Sequence, residues 1–307
     1  MSDSPRRSGG KSSRVTNETS CIALFESQRQ LLLNLAYRLL GSHCDAEDAV
    51  QDTFLRWVAA DFHAIDNPSA WLTTVCTRRC VDLLKAAHRQ RVDYVGVWLP
   101  EPFHMTTDEP LEDVPGLPSS LSTAFLLLLD RLTPKERAAY LLREIFDCPY
   151  PEVAAALGIQ EATCRKLVSR ARTRIGNGRA RHVAPTERQD EFLAAFQLAI
   201  ATGRTESLAA LLSEDVMLTA DGGGKVPAIS DPVHGKGQVL ETIAGPLSCW
   251  WRSYEWRSGI LNGMRGVLLF EGDAIAAAVT FAYDDLNRVA GIYVVRNPEK
   301  LTRFRHS

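Results

Sequence analysis

Residues 150–175 read YPEVAAALGIQEATCRKLVSRARTRI and contain the strongest structural signal in the chain. Residues 150–157 predict a short helix, Gly158 supplies a turn, and residues 161–175 predict a longer, basic helix with apolar residues at helical spacing. This order is typical of a helix-turn-helix, whose second helix enters the major groove of DNA. We therefore predict a duplex-reading module in the middle of the chain.

The basic helix has one apolar side and one polar side. Cys164, Leu167, Val168, Ala171 and Ile175 are expected to face the core. The outward positions that could contact a DNA duplex are Gln160, Glu161, Thr163, Arg165, Lys166, Ser169, Arg170 and Arg174. Arginine and lysine neutralise phosphates and read guanine. A solvated charged face is the alternative, but the preceding helix and turn favour DNA binding. Gln160 departs from the pattern, because a Ser or Thr cap is expected there.

Residues 120–180 form a helical unit that is expected to begin near Leu121. Thr133-Pro134-Lys135-Glu136 predicts a helix start, with Thr133 as N-cap and Glu136 closing a capping box. The preceding segment, residues 94–119, contains five of the fifteen prolines and no helical period, and residues 101–113 hold five carboxylates without Lys or Arg. We predict an acidic linker there.

An earlier helical unit is expected over residues 19–93, after a disordered arm at residues 1–18. Residues 45–57 read DAEDAVQDTFLRW, with Asp45, Asp48, Asp52 and Arg56 opposite an apolar stripe. Residues 61–91 interleave aromatic and polar side chains with cations. The candidates there for single-stranded DNA binding are Phe62, His63, Asn67, Trp71, Arg78, Arg79 and Lys85. Trp71 is equally consistent with a place in the core.

Composition excludes several classes of protein. The chain has 307 residues, 35 Lys and Arg against 37 Asp and Glu, and 45% hydrophobic residues, which suits a globular protein of two or three domains. No apolar run is longer than that at residues 124–129, which is far shorter than the roughly 20 residues of a membrane span, so we expect no membrane association and a cytoplasmic location. Its seven cysteines form no CxxC pair. We predict neither a metal site nor a cofactor.

Residues 186–305 change in character. One helix, residues 187–202, precedes segments that are expected to be extended: 216–219, 250–257, 267–270, 274–283 and 289–295. We predict an α+β unit with a curved antiparallel sheet. Asp221, Asp231 and His234 are candidate acid–base residues, but each also reads as a turn or loop residue, so catalysis is not predicted.

Several motifs in order resemble one family. Residues 45–57 closely resemble the core-polymerase-binding helix of extracytoplasmic-function sigma factors, and LTPKER at 132–137 with the two helices at 150–158 and 165–174 resembles their fourth domain. WLPEP at 98–102, DGGGK at 221–225 and NPEKL at 297–301 are similar to marks of a subgroup with a SnoaL-like domain of the NTF2 type.

This resemblance implies a multidomain fold. Two all-α sigma domains, helical domain 2 and helix-turn-helix domain 4, would be followed by an α+β NTF2/SnoaL-like cone. It also implies a sigma factor that directs core RNA polymerase to specific promoters, with no catalytic turnover of its own. The partners would be promoter DNA and the β′ clamp and β subunits of the core. A ligand-sensing helix-turn-helix regulator with an NTF2-like sensor is the alternative.

The implied roles fall on four groups of residues. Asp45, Asp48, Asp52 and Arg56 would bind the polymerase core. The 61–91 segment would open the minus-ten element, with a flipped base near Asn67, and the 160–174 helix would read the minus-thirty-five element. Contacts that modulate activity in cis, between the SnoaL-like domain and the sigma domains or linker, would use Asp221, Gly222, Gly223, Gly224, Lys225, Asn297, Pro298 and Leu301.

Overall fold

The computed structural model describes residues 10–61, 64–90, 94–103, 121–176, 182–302 and 304. The helices are α1 Gly10–Leu40, α2 His43–Ala59, α3 Pro68–Gln90, α4 Thr123–Leu129, α5 Pro134–Glu144, α6 Tyr150–Leu157, α7 Glu161–Ile175, α8 Thr186–Thr202, α9 Glu206–Ala209, α10 Lys236–Thr242 and α11 Ser248–Trp251. The strands are β1 Leu212–Asp221, β2 Val233–His234, β3 Glu255–Leu261, β4 Met264–Glu271, β5 Ala274–Tyr283 and β6 Val289–Val295. In the part of the chain so described, no helix is long and apolar enough to cross a membrane.

The first helical unit consists of α1, α2 and α3. Ser42 caps α2, because its hydroxyl accepts a hydrogen bond from the Asp45 amide. Trp57 is fully buried and donates its indole N–H to the Cys21 carbonyl, which joins α2 to α1. Helix α1 begins at Gly10, so a disordered arm extending to residue 18 is not what the structure has. The physical reason is that a helix, once begun, extends at little cost per residue. Residues 1–9 of the expected arm lie outside the described residues.

The second helical unit consists of α4 to α7 and confirms two local predictions. The capping box is present, because Thr133 accepts from the Glu136 amide and the Glu136 carboxylate accepts from the Thr133 amide. Gly158 ends α6 at φ +61°, a left-handed conformation that glycine adopts without strain. The chain thereby turns from α6 into α7, and the predicted inward residues of α7 are buried or half-buried.

The third unit contains α8 to α11 and one six-stranded sheet in the order β2-β1-β6-β5-β4-β3. The predicted antiparallel pairing holds for four of the five strand pairs, whereas β1 and β6 pair in parallel, so the sheet is mixed. Residues 250–257 were expected to be extended, but the chain is helical at Ser248–Trp251 and enters β3 only at Glu255. Trp251 is the last residue of α11, and its side chain is 1% exposed and packed in the core. Burial there overrides the strand preference of its aromatic side chain.

Both faces of this sheet are covered. Helix α8 packs on the inner face, where Phe192 and Phe196 meet Phe281 with ring centroids 4.9 and 5.6 Å apart. The outer face is covered by three separate segments, which bring Leu99, Leu127 of α4 and Leu301 onto it. Thr123 of α4 also exchanges a 2.8 Å hydrogen bond with Thr280 of β5. The third unit is therefore packed against the rest of the chain through its sheet.

The two helical units also pack on each other. Arg137 of α5, 4% exposed, donates to the Leu39 carbonyl at the end of α1 at 2.6 Å and to the Leu129 carbonyl at the end of α4 at 2.9 Å. It pairs with Asp130 as well. One guanidinium thus satisfies terminal carbonyls of helices from both units.

Phe196 tests the aromatic filling of the third unit. It is fully buried, and its ring is also within 6.5 Å of Trp251 and 5.8 Å of Trp256. Phe196→Ala is expected to lower the free energy of unfolding by about 3 to 5 kcal/mol, because it leaves a cavity in a packed core. Urea denaturation followed by tryptophan fluorescence measures this. Leu198→Ala on the exposed side of the same helix is the control, and equal effects of the two changes would contradict the packing described.

Candidate functional site

The acidic face of α2 is open to solvent. Asp45, Asp48 and Arg56 are exposed, and Asp52 is half-buried. Asp52 lies 2.6 Å from Arg79 Nε on α3. The four residues expected to bind the polymerase therefore share one helix, as the sequence predicts, but one of them is already paired with a residue expected to bind DNA.

The predicted minus-ten residues divide into several environments. Asn67 is exposed and caps α3, because its side-chain oxygen accepts from the Ala70 amide at 3.1 Å. Trp71 is half-buried, and the centre of its ring lies 5.6 Å from that of Trp57, so it belongs at least partly to the core. Lys85 pairs with Asp82 at 2.9 Å on the surface. Phe62 and His63 lie outside the described residues.

Arg78 makes a contact that the sequence did not reveal. Its guanidinium donates to the carbonyls of Ala155 and Ala156 at 2.7 and 2.8 Å, in the last turn of α6. Those carbonyls are among the four that every helix leaves without an internal partner, and a cation is favoured at that end of the helix dipole. A cleft of about 420 Å³ lies beside this contact, lined on one side by Asn67, Trp71 and neighbours in α3 and on the other by α6. The presumed minus-ten face thus meets the helix-turn-helix.

The exposed face of α7 carries the predicted minus-thirty-five residues. Gln160 stands at the N-cap without a capping side-chain hydrogen bond, as its residue type predicts. Arg165 bonds to Glu161 one turn earlier, Nε to Oε1 at 3.0 Å, and lies 4.3 Å from the centre of the Tyr150 ring. The other exposed polar residues on this face are Thr163, Lys166, Ser169 and Arg170. The face can offer several donors to a duplex.

Asp221 is fully buried at the end of β1 and is surrounded by donors from three segments. Lys300 Nζ lies 2.7 Å from one carboxylate oxygen, which also accepts from the Leu99 amide at 2.9 Å. The other oxygen accepts from the Tyr94 hydroxyl at 2.6 Å and the Gly223 amide at 3.0 Å. Burial and the adjacent carboxylate raise the pKa of Tyr94, so its hydroxyl remains a donor. We call this cluster the Asp221 node.

The parallel pairing of β1 with β6 assembles the node. Asp221 is in register with Val295, and the Arg296 and Asn297 amides both donate to the Asp221 carbonyl. The two C-terminal motifs, 76 residues apart in sequence, therefore meet at the same end of the sheet. Asn297 Nδ2 donates to the Tyr94 hydroxyl at 3.0 Å.

The remaining predicted residues of the two motifs lie around the node. Gly223 has φ +61°, and a Cβ there would meet the Asn297 amide and lie 3.1 Å from the Tyr94 hydroxyl oxygen. A Cβ at Gly222 would meet the Val226 carbonyl, and one at Gly224 would meet the Val95 side chain. Lys225 pairs with Glu299, Pro298 is half-buried, and Leu301 is fully buried. The structure brings all eight predicted residues together and adds Tyr94, Leu99 and Lys300.

A second junction lies further along the linker and was not predicted. The Glu101 amide donates to the Gly41 carbonyl at 2.9 Å, and the Glu101 carboxylate accepts from the His43 amide at the start of α2 at 2.6 Å. Tyr37 of α1 donates its hydroxyl to the Glu101 carbonyl at 2.6 Å. The same hydroxyl accepts a 2.8 Å bond from Nδ2 of Asn262, in the turn between β3 and β4. Asn262-Gly263 signals a hairpin in the sequence, but not these distant partners.

The two helical units each match a family of known proteins. Residues 24–90 match the family described as Sigma-70 region 2, and residues 122–175 match Sigma-70, region 4. The chain belongs to the extracytoplasmic-function RNA polymerase sigma factors of the sigma-70 family, which bind core RNA polymerase and promoter DNA. Sigma factors are generally non-enzymatic regulators of transcription.

Individual relatives match nearly the whole chain. It is 34% identical to the ECF RNA polymerase sigma factor SigJ of Mycobacterium tuberculosis over 92% of this chain and 93% of that protein. The probable ECF RNA polymerase sigma factor SigI of the same organism is 29% identical, over 92% and 95% of the two chains. The crystal structure of SigJ matches with a TM-score of 0.72 and 31% identity, covering 92% of this chain and 98% of that one. The predicted family and fold class are confirmed, and the ligand-sensing regulator is not favoured.

Glu101 gives the linker a pH dependence. Burial raises its pKa above the ordinary value of 4.5, against the opposing effect of the His43 amide. Between the ordinary and the raised pKa the folded chain holds more protons than the unfolded chain, so raising the pH across that window lowers the free energy of unfolding. Glu101→Gln keeps an acceptor without the charge. We expect wild type to lose stability relative to this variant as the pH rises from about 4.5, which urea denaturation at a series of pH values measures. Parallel pH profiles would contradict this.

Proposed function

We propose that this sigma factor is held in a closed state by its own third unit, which modulates promoter recognition in cis. The observation that carries the proposal is the Asp221 node, because it fixes the linker between the two helical units to the third unit. In an open state, Asp45, Asp48, Asp52 and Arg56 would bind the polymerase core. The 61–91 segment would bind the minus-ten element as single strands, and the 160–174 helix would bind the minus-thirty-five element as duplex.

Geometry supports a closed state that excludes promoter binding. Arg78 commits two of its five N–H donors to the end of α6, so a DNA phosphate would have to compete for part of its guanidinium. The cleft beside it places the first turns of α3, which carry Trp71, opposite α6. For a strand to follow α3, the second helical unit must move away. A linker bonded at Tyr94, Leu99, Glu101 and Phe103 restricts that movement.

Charge supports the same proposal. The chain has a formal net charge of −2, so its summed field attracts little DNA. Arg79 is paired with Asp52, and Arg165 with Glu161. Promoter binding must therefore come from local surfaces that become accessible together, which the binding of core polymerase to the α2 face would favour.

The Tyr94 hydroxyl offers a direct test of the node. Tyr94→Phe keeps the ring and removes the bonds to Asp221 and Asn297. Loss of a hydrogen bond to a buried charged group costs about 1.5 to 3 kcal/mol, which shifts the closed-to-open ratio by roughly tenfold or more. We expect run-off transcription with core polymerase to rise severalfold. Tyr254→Phe is the matched control, because its hydroxyl bonds only weakly, at 3.3 Å, to exposed Glu271 of the same unit.

Two truncations extend this test. One chain ends near Pro185 and lacks the third unit, and the other lacks Asn297 onward and with it part of the node. Both should differ from the full-length protein in run-off transcription. Equal activity of all three chains, together with an unchanged Tyr94→Phe variant, would exclude regulation in cis.

The exposed cations of α7 provide a separate test of DNA reading. Arg165→Ala and Lys166→Ala are each expected to cost about 1 to 3 kcal/mol of promoter binding if the side chain reaches a base edge. Arg172→Ala on the same helix is the control, because Arg172 is paired with Glu144 of α5 at 2.7 Å. Selectivity is measured by transcription from promoters that differ only in the minus-thirty-five element. Unchanged selectivity in both test variants would remove these residues from the readout.

A further inference from the structure

We propose that the tip of the β3–β4 hairpin, centred on Asn262, is a second latch that is separate from the Asp221 node. It would hold α1 and the distal part of the linker to the third unit. The proposal rests on the proposed function only for its consequence for transcription, since the latch itself is a property of the free protein.

Asn262 joins three segments of the chain through one side chain. Its Nδ2 donates to the Tyr37 hydroxyl at 2.8 Å and to the Leu121 carbonyl at 3.0 Å. Its Oδ1 accepts from the Phe103 amide at 3.2 Å, and its own amide donates to the Phe103 carbonyl at 2.8 Å. The residue is 1% exposed. Both side-chain hydrogens and the side-chain oxygen are thus used, by α1, by the linker and by Leu121, two residues before α4.

This bonding pattern exceeds what a hairpin turn needs. A two-residue turn of the Asn-Gly type requires left-handed backbone conformations, which Asn262 and Gly263 adopt at φ +52° and +77°. Glycine would satisfy that requirement equally well. The asparagine side chain instead donates both its hydrogens outside the third unit, and a buried amide without those partners would be costly. Its identity is therefore explained by contact with the sigma part of the chain.

The latch and the Asp221 node use different elements. The node lies at the ends of β1 and β6 and binds the linker at Tyr94 and Leu99. The hairpin tip binds the linker four residues later, at Phe103. Between them Glu101 bonds only to the first helical unit, through Gly41, His43 and Tyr37, among the contacts described. Opening at Asn262 would release α1 from the third unit while the node stays closed.

The test uses Asn262→Gly, which keeps the left-handed turn and removes every side-chain bond. Cys44 in α2 and Cys249 in α11 are exposed, so spin labels on these two native cysteines report the distance between the first helical unit and the third unit, with half-buried Cys148 changed to Ser. We expect the population at longer distance to rise about tenfold over wild type, and the Glu101 amide to exchange its hydrogen about tenfold faster. The Leu99 amide, bonded to Asp221, should stay within twofold.

Two further variants separate a latch from a general loss of stability. Asn287→Gly makes the same change at φ +57° in the β5–β6 turn, where Asn287 bonds to His182 and Arg188 of the third unit's own end of the chain, and should leave the distance distribution unchanged. Tyr37→Phe removes the Asn262 bond from the α1 side, together with the Tyr37 bond to the Glu101 carbonyl. It should lengthen the distance as Asn262→Gly does, and the effects of the two changes should be less than additive in the double variant, because they share the Tyr37–Asn262 bond.

Each outcome decides the proposal. No change in distance or in Glu101 exchange in Asn262→Gly would overturn it, and so would equal acceleration at Leu99, because the two junctions would then open as one. Transcription is measured separately. If Asn262→Gly opens the free protein but transcription is unchanged in both this variant and Tyr94→Phe, the latch stands and the proposed regulation in cis fails.

Discussion

A buried carboxylate organises the closed chain. Asp221 has no solvent contact, and an ionised carboxylate without partners in such a place would cost several kcal/mol. It is stable only because its donors come from the linker, from the turn after β1 and from the segment after β6. Lys300 adds its charge there while it lies 4.5 Å from the centre of the Trp98 ring. The Asp221 carboxylate thus holds all three segments, and it is stable in its buried position only when all three supply their donors.

Buried or partly buried polar groups also join the two helical units. Arg137 satisfies carbonyls at the end of α1, and Arg78 satisfies carbonyls at the end of α6. Each helical unit therefore supplies a guanidinium to a helix terminus of the other. Arg78 and Arg79 are cations of the first unit that DNA would also attract, and each already bonds to a protein group. In the closed state that we propose, a nucleic acid would compete with those groups for N–H donors, which would couple binding to opening.

Local patterns predicted much of the fold, and distant contacts account for what was missed. The amphipathic period of α2, the capping box at Thr133 and the glycine turn at 158 depend on neighbours a few residues away, and all three appear as predicted. Whether β1 and β6 pair in parallel or antiparallel cannot be read from the alternation of apolar and polar residues along either strand. The Asn262 bonds to Leu121 and Tyr37 cross 141 and 225 residues, and no single-sequence pattern records them. The glycines, Asp221 and the WLPEP motif that contains Leu99 were found by resemblance, whereas Tyr94 carried no signal.

The place of the node along the chain has a consequence for synthesis. Both helical units are complete by Ile175, whereas Asn297 and Lys300 are translated more than a hundred residues later. At roughly 5 to 20 residues per second, the nascent protein spends on the order of 6 to 25 s with its DNA-binding surfaces made and its linker unsecured. During that interval Asp221 is translated but has no Lys300 to neutralise it. In the closed state that we propose, the node can form only after Lys300 has been translated, so a nascent chain passes through an arrangement in which both helical units are made and the node has not yet formed.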